Sequence, residues 1–134
     1  MAMLLEVILM TDIKMMIWGR AFELKIEYDC CFGEDVLPNQ VQAIEKLVCS
    51  QDIISEAKGK VETYCLSKNP VEIGTKHIEN IFKYVMPKYL FVRRNADKRV
   101  VAIMCNYRFD PEHGIAIVFE NEKQVCIGNQ DIIL

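Results

Sequence analysis

The chain has 134 residues, a formal net charge of -3, and just over half its residues apolar. That is enough to bury one sizeable core as a single domain over residues 1–134 without disulfide staples. The mild acidity argues against nucleic acid or an anionic membrane as the main partner, because phosphate binding calls for a basic surplus.

Met3 to Met10 is apolar apart from Glu6 and reads as a strand. No Lys or Arg precedes that run and no cleavage site follows it. It is also too short to span a bilayer as a helix, so a cytoplasmic protein is expected. Lys14 to Trp18 continues the apolar character, and Trp18-Gly19-Arg20 makes a bend. In FELKIEYD the residues Phe22, Leu24, Ile26 and Tyr28 alternate with charged ones, which is the period of a half-buried strand.

After Gly33 the period changes. Val41, Ile44, Leu47 and Val48 recur at helical spacing behind Pro38, with Asn39 as a candidate cap. A second amphipathic run carries Ile53, Ile54, Ala57, Val61, Tyr64 and Cys65, and stops at Asn69-Pro70. Gly59 lies inside it, weakens it by about 1 kcal/mol relative to Ala, and is a place where it could break. Thr75 is placed to cap a short third helix with Ile78, Ile81 and Phe82 facing in, ending before Pro87.

The remainder reads as four strands, Tyr89–Arg94, Val100–Phe109, Ile115–Phe119 and Gln124–Ile127, joined by turn-forming compositions. Short connections make neighbours antiparallel. The expected fold is therefore α+β: a mostly antiparallel sheet with a C-terminal meander, and two to three central helices packed on one face. Val100–Cys105 and Ile115–Phe119 are apolar at nearly every position, a pattern normally covered on both faces. The second face is then covered by the N-terminal segment or used by a protein partner or a second copy of the chain.

The six cysteines include no C-x-x-C pair, and most have apolar neighbours, so reduced and mostly buried thiols are expected. Cys30-Cys31 reads as packed thiol rather than nucleophile. Arg93 to Arg99 carries four basic residues with no aromatic among them to stack a base, and reads as a solvated hairpin end. Glu34-Asp35, Glu120 and Glu122 are acidic loop positions. No phosphate-binding glycine loop and no G-x-S-x-G elbow occurs, so nucleotide-dependent and serine-hydrolase chemistry have no motif here.

Phe109-Asp110-Pro111-Glu112-His113-Gly114 crowds three ionisable residues between two strands. A histidine with two carboxylates suits acid–base or metal work, but consecutive residues in a tight turn splay apart, and a metal needs ligands from elsewhere. Turn chemistry accounts for Asp110 as a backbone acceptor, Pro111 as a preset φ and Gly114 as a left-handed residue. Glu112 and His113 are the two that a turn does not demand. No catalytic residue, metal or cofactor is assigned.

These residues, continued by Ile115-Ala116-Ile117 and by Ile127-Gly128-Asn129-Gln130-Asp131, resemble a bacterial domain-of-unknown-function family. Its hairpin reads W-D-x-E-H-G-L-G-V and is followed by a strand ending V-G-x-x-D. Gln40 at a helix start and Trp18-Gly19 before a strand are similar in placement. The resemblance spans Trp18 to Leu134 and departs in Phe109 for Trp and Ala116 for Gly, changes that keep the hairpin apolar. It implies a cytosolic α+β protein without an assigned reaction, some members resembling immunity or accessory proteins that meet a protein partner. Candidate binding residues are therefore Asp110, Glu112, His113 and Trp18. The alternative reading is a small hydrolase or metal-dependent enzyme centred on the hairpin.

Overall fold

The computed structural model describes residues 11–30 and 35–134. The strand expected at Met3 to Met10, Cys31 and the acidic Glu34 lie outside them. The fold is α+β. Among the described residues, six strands, β1 (Asp12–Ile17), β2 (Arg20–Tyr28), β3 (Val85–Val92), β4 (Val100–Tyr107), β5 (Ile115–Glu120) and β6 (Lys123–Gly128), form one sheet in chain order. Of these, β2 and β3 are parallel and the other neighbours are antiparallel. Between β2 and β3 come the helices α1 (Pro38–Val48), α2 (Gln51–Lys68) and α3 (Pro70–Ile73), then a 3-10 turn at Ile81–Lys83.

The turn between β1 and β2 holds Trp18 and Gly19 at positive φ, 51° and 82°. That pair matches the right-handed twist of the strands it joins. A bulky residue rarely adopts such a φ, and Trp18 is held there by its surroundings. Its indole N–H donates to the Ile54 carbonyl of α2 at 2.9 Å, and its ring lies 5.8 Å from that of Phe82.

Helix α2 runs unbroken through Gly59, which is exposed, and buries Ile54, Ala57, Val61 and Cys65 to 1% exposure or less. Packing of that stripe outweighs the glycine's cost. The helix packs against both edge strands, β1 and β6, so the sheet curls around it. The main core joins these helical residues to alternate residues of the sheet: Leu24, Leu90, Val101, Ile103, Ile115, Ile117 and Phe119. On the opposite side Val100, Ala102, Met104, Ala116 and Val118 form a second small core with Ile133, flanked by Tyr89 and Phe91. The doubly apolar pattern of β4 and β5 thus corresponds to two cores, not to an open apolar face.

The third helix differs from expectation. Pro70 restarts a helix directly after Asn69, and Gly74 in the left-handed region ends it at Ile73. Thr75 caps nothing; its hydroxyl donates to the His77 carbonyl at 2.7 Å. Ile78 and Ile81 are buried as the spacing implies, but from a loop and a 3-10 turn that Asn80 caps. Strand β3 then begins at Val85 and contains Pro87. A register shift between Pro87 and Tyr89, just before pairing with β2 starts at Tyr89, accommodates the missing N–H.

Among the described cysteines, Cys65 and Cys105 are buried, Cys30 is half-buried, and Cys49 and Cys126 are exposed. Apolar sequence neighbours therefore overstated the burial, as at Cys126 on the edge strand β6.

The start of α1 is built around Gln40 rather than Asn39. Asn39 reaches across to the carbonyls of Asn95 and Lys98. Gln40, 1% exposed, accepts the Leu37 N–H at 2.8 Å and donates to the carbonyls of Asp29 at 3.1 Å and Val92 at 3.2 Å. It thereby ties α1 to the ends of both parallel strands. Gln40→Leu keeps the volume but leaves the Leu37 N–H and the Asp29 carbonyl without this partner. At roughly 1–3 kcal/mol per unsatisfied buried group, a loss of about 2–4 kcal/mol is expected. Urea unfolding should show a lower midpoint at unchanged slope.

Candidate functional site

The segment joining β4 to β5 is a closed turn held by its own residues and by bonds from outside it, among them Arg108 N–H to the Tyr84 carbonyl at 2.8 Å. Asp110 N–H donates to the Tyr107 carbonyl at 3.2 Å, and Gly114 N–H to the Asp110 carbonyl at 2.9 Å. The Asp110 carboxylate accepts the His113 N–H at 3.2 Å. Gly114 has φ +59°, and a Cβ there would run into the Cys105 carbonyl oxygen and the Gln130 side chain. Left-handed backbone and lack of space both require glycine at this position.

The question left by the sequence was what Glu112 and His113 touch. His113 Nδ1 lies 3.0 and 3.2 Å from the two carboxylate oxygens of Asp110, so the ring is held by a residue of its own turn. The two side chains are 42% and 40% exposed. The hydrogen bond to Asp110 and its charge, aided by Glu112 and Asp131, raise the His113 pKa above the ordinary value of 6.5. Glu112 is exposed on the tip. The C-terminal turn at Gln130–Ile132 docks from outside: Gln130 N–H donates to the His113 carbonyl at 3.0 Å, and its side-chain amide to the Cys105 carbonyl at 3.2 Å.

Beside the turn lies a cleft of about 280 Å³ lined by Tyr64, Lys68 and Asn69 from the end of α2, Tyr107, Phe109 and Asp110 from the hairpin, and Asn129. Its walls are an aromatic chain. The Tyr84 ring stacks on Phe109 with centroids 5.3 Å apart, Phe109 meets Tyr107 edge-on at 5.6 Å, and Tyr107 lies 6.4 Å from Tyr64. The Tyr107 hydroxyl donates to Asn69 Oδ1 at 2.6 Å, fixing the β4 end to the α2 end. Behind it, burial pushes the Cys65 thiol up to about 11 and also raises the Cys105 and Tyr107 pKa values. Of these residues, the sequence reading singled out only Asp110 as a site. Tyr64 and Asn69 come from the end of α2, Tyr107 from β4 and Asn129 from beyond β6, and none carries a local signal.

Trp18 is not part of this cleft. Its indole N–H is used by Ile54, about ten residues and therefore roughly 15 Å along α2 from Tyr64. The basic run is largely engaged within the chain. Arg99 makes a bidentate pair with Glu122 at 2.8 and 2.9 Å, Lys98 meets Glu120 at 3.4 Å, Arg93 bonds the Ile133 carbonyl, and Arg94 the Asp35 carbonyl. His77 lies in the exposed loop before the 3-10 turn. Among the described residues no group of three His, Cys, Asp or Glu is placed to hold a metal ion. None of their helices is long and apolar enough to cross a membrane.

A curled, mostly antiparallel sheet around a helical crossover, with an aromatic cleft at one hairpin end, defines the class as an α+β domain. The chain belongs to the family DUF6985, a domain of unknown function whose family model matches residues 10–134. No curated protein and no solved structure matches it. The expectation of an uncharacterised domain family thus holds.

Two outcomes follow from the turn. Gly114→Ala is expected to destabilise the fold by about 2–4 kcal/mol, combining left-handed strain with overpacking against β4, as measured by urea unfolding. The His113 pairing is complete at pH values below the histidine's unfolded pKa, and fades as pH rises through the higher folded value. An NMR titration of the His113 ring should give a midpoint above 6.5, returning towards 6.5 in Asp110→Asn.

Proposed function

We propose that this domain is a non-enzymatic protein-binding module, a bacterial cytosolic protein of the immunity or accessory kind. Its contact surface is the hairpin end of the sheet, around Tyr64, Phe109, Asp110, Glu112 and His113. The observation that carries this reading is the cleft itself. Half-buried aromatic rings stand beside polar side chains, on a helix end and a hairpin that other contacts hold rigid. Partly buried aromatics framed by polar groups are the usual anchors of protein interfaces.

The apolar residues first expected to form such a surface, Val100–Cys105 and Ile115–Phe119, are 5% exposed or less within the chain. A partner, or a second copy, is therefore assigned to the hairpin end instead. The acidic net charge supports a protein partner over nucleic acid or membrane. Free cysteines fit a reducing compartment. The immunity reading rests on the resemblance carried by Asp110, Glu112, His113 and Gly114.

A second reading, hydrolysis by His113 as a base, is favoured by one observation, the Asp110–His113 pair beside a cleft. It needs a nucleophile or an activated water. The thiols behind the cleft, Cys65 and Cys105, are buried, with pKa values raised away from thiolate formation.

The test immobilises the protein, passes over it an extract of the native host, and compares Phe109→Ala/Glu112→Lys with a Lys98→Ala control, all checked for folding by thermal melts. A specific partner should be retained by wild type and control and lost by at least ~10-fold in the hairpin variant. If the retained proteins are the same for all three, the binding surface is wrong. If purified protein hydrolyses simple esters in a manner abolished by His113→Ala, the enzyme reading replaces it.

A further inference from the structure

The register of β3 and β4 sets Val85 beside Tyr107 and Met86 beside Asn106. Val85 and Tyr107 are buried in the main core, so Met86 and Asn106 face the other side of the sheet. A cleft of about 320 Å³ is lined by that second pair, at the end of the two strands. Its volume is that of a small-ligand site. None of the residues named above for the protein-contact surface lines it, so it is a separate site.

The charges of this cleft have one sign. Lys83 and Arg108 line it, both exposed, and no carboxylate does, in a chain whose net charge is -3. Neither cation makes an ion pair with a described residue. Arg93, Arg94 and Arg99 spend their guanidinium groups on carbonyls or a carboxylate within the chain. The guanidinium of Arg108 has no such bond among the described residues. The exposed amide of Asn106 bonds none of them either, which leaves its N–H groups to donate.

The backbone decides which anion fits. Phosphate sites draw on free backbone N–H groups. Here those groups are spent. Phe82 N–H donates to Asn80 Oδ1 at 3.1 Å, Lys83 N–H to the Asn80 carbonyl at 3.1 Å, Tyr84 N–H to the Ile81 carbonyl at 3.0 Å, and Arg108 N–H to the Tyr84 carbonyl at 2.8 Å. Pro111, on the same wall, has no N–H to give. A free guanidinium fork with an ammonium beside the same cleft matches a carboxylate, which the fork takes through two parallel bonds. Apolar surface completes the lining. Tyr84 and Met86 are half-buried there, and the Tyr84 ring is held by stacking on Phe109 at 5.3 Å.

We infer that this outer-face cleft binds a small apolar carboxylic acid, its carboxylate taken by Arg108, Lys83 and the Asn106 amide and its apolar body laid on Tyr84 and Met86. The site stands whether or not the hairpin end binds a protein.

The test is an amide NMR titration with phenylacetate, with phenethylamine (a similar body of opposite charge), with inorganic phosphate and with a glutamate-rich peptide. Phenylacetate should move the amides of Lys83, Met86, Asn106 and Arg108 saturably. Its affinity should fall about tenfold or more in Arg108→Gln and in Asn106→Asp, surface changes whose folding is checked by thermal melts. Asn106→Asp keeps the shape of the side chain and turns its donor into a repelling carboxylate. Equal shifts with phenethylamine, shifts confined to other residues, or unchanged binding by both variants overturn the site. Tighter binding of phosphate overturns the choice of anion, and tighter binding of the peptide reassigns the cleft to an acidic protein segment. The host-extract experiment reads different residues, so either proposal can fail alone.

Discussion

Parallel pairing of β2 with β3 is the constraint on which the rest of the structure depends. Parallel neighbours cannot be joined by a hairpin, so the chain must leave the sheet and return to the same end before the second strand begins. Among the described residues, α1, α2 and α3 all lie on that journey. The return is fastened where the two strands finish: Asp29 N–H donates to the Val92 carbonyl at 2.8 Å, and the Gln40 amide bonds the carbonyls of both residues. A polar side chain buried this deeply is tolerated because both ends of its amide are used. Once α1 is fixed there, α2 is delivered onto the concave side of the sheet, and both sheet edges close against it.

The same geometry explains why the hairpin end is organised. α2 ends where β4 ends, and Tyr107 and Asn69 join the two by a short hydrogen bond. Tyr64 and Lys68, a helical turn apart, are thereby set beside a turn more than forty residues further along the chain. At the other end of α2, Trp18 holds its unusual backbone angle by bonding Ile54, so the helix is gripped near both termini. The placement of Trp18-Gly19 and Gln40, noted in the resemblance, is accounted for by these fixings.

What could be read from the sequence divides along physical lines. Local periodicity was sufficient for β2, where Leu24 and Ile26 are buried between exposed charges, and for α2, whose stripe survives Gly59. Turn chemistry was sufficient for Asp110 and Gly114. Periodicity misled where a buried spacing is met without a helix: Ile78 and Ile81 both face the core, but Pro70 and Gly74 had already begun and ended α3. Gln40 looks like a solvent-facing residue beside Val41, yet Gln40 is buried and Val41 only partly so. Nothing local distinguishes an amide that faces water from one that meets two distant carbonyls. The parallel register and the aromatic cleft belong to the same category, because both join segments far apart in sequence.

The chemistry of the hairpin follows from how its histidine is held. An imidazole whose Nδ1 faces a carboxylate is half of an acid–base pair, and the other half must come from a neighbour able to take part. At the cleft the polar neighbours are phenols, amides and the amine of Lys68, and the thiols behind them are kept protonated by burial. Tyr107 is likewise raised, and its hydroxyl is occupied by Asn69. Asp110 also accepts the backbone N–H of His113, so its carboxylate serves the turn as well as the ring. The pair is therefore better suited to fixing the shape and charge of the hairpin tip than to moving protons through it. Under the binding reading proposed above, a tip of fixed shape beside aromatic rings lowers the ordering cost of an association.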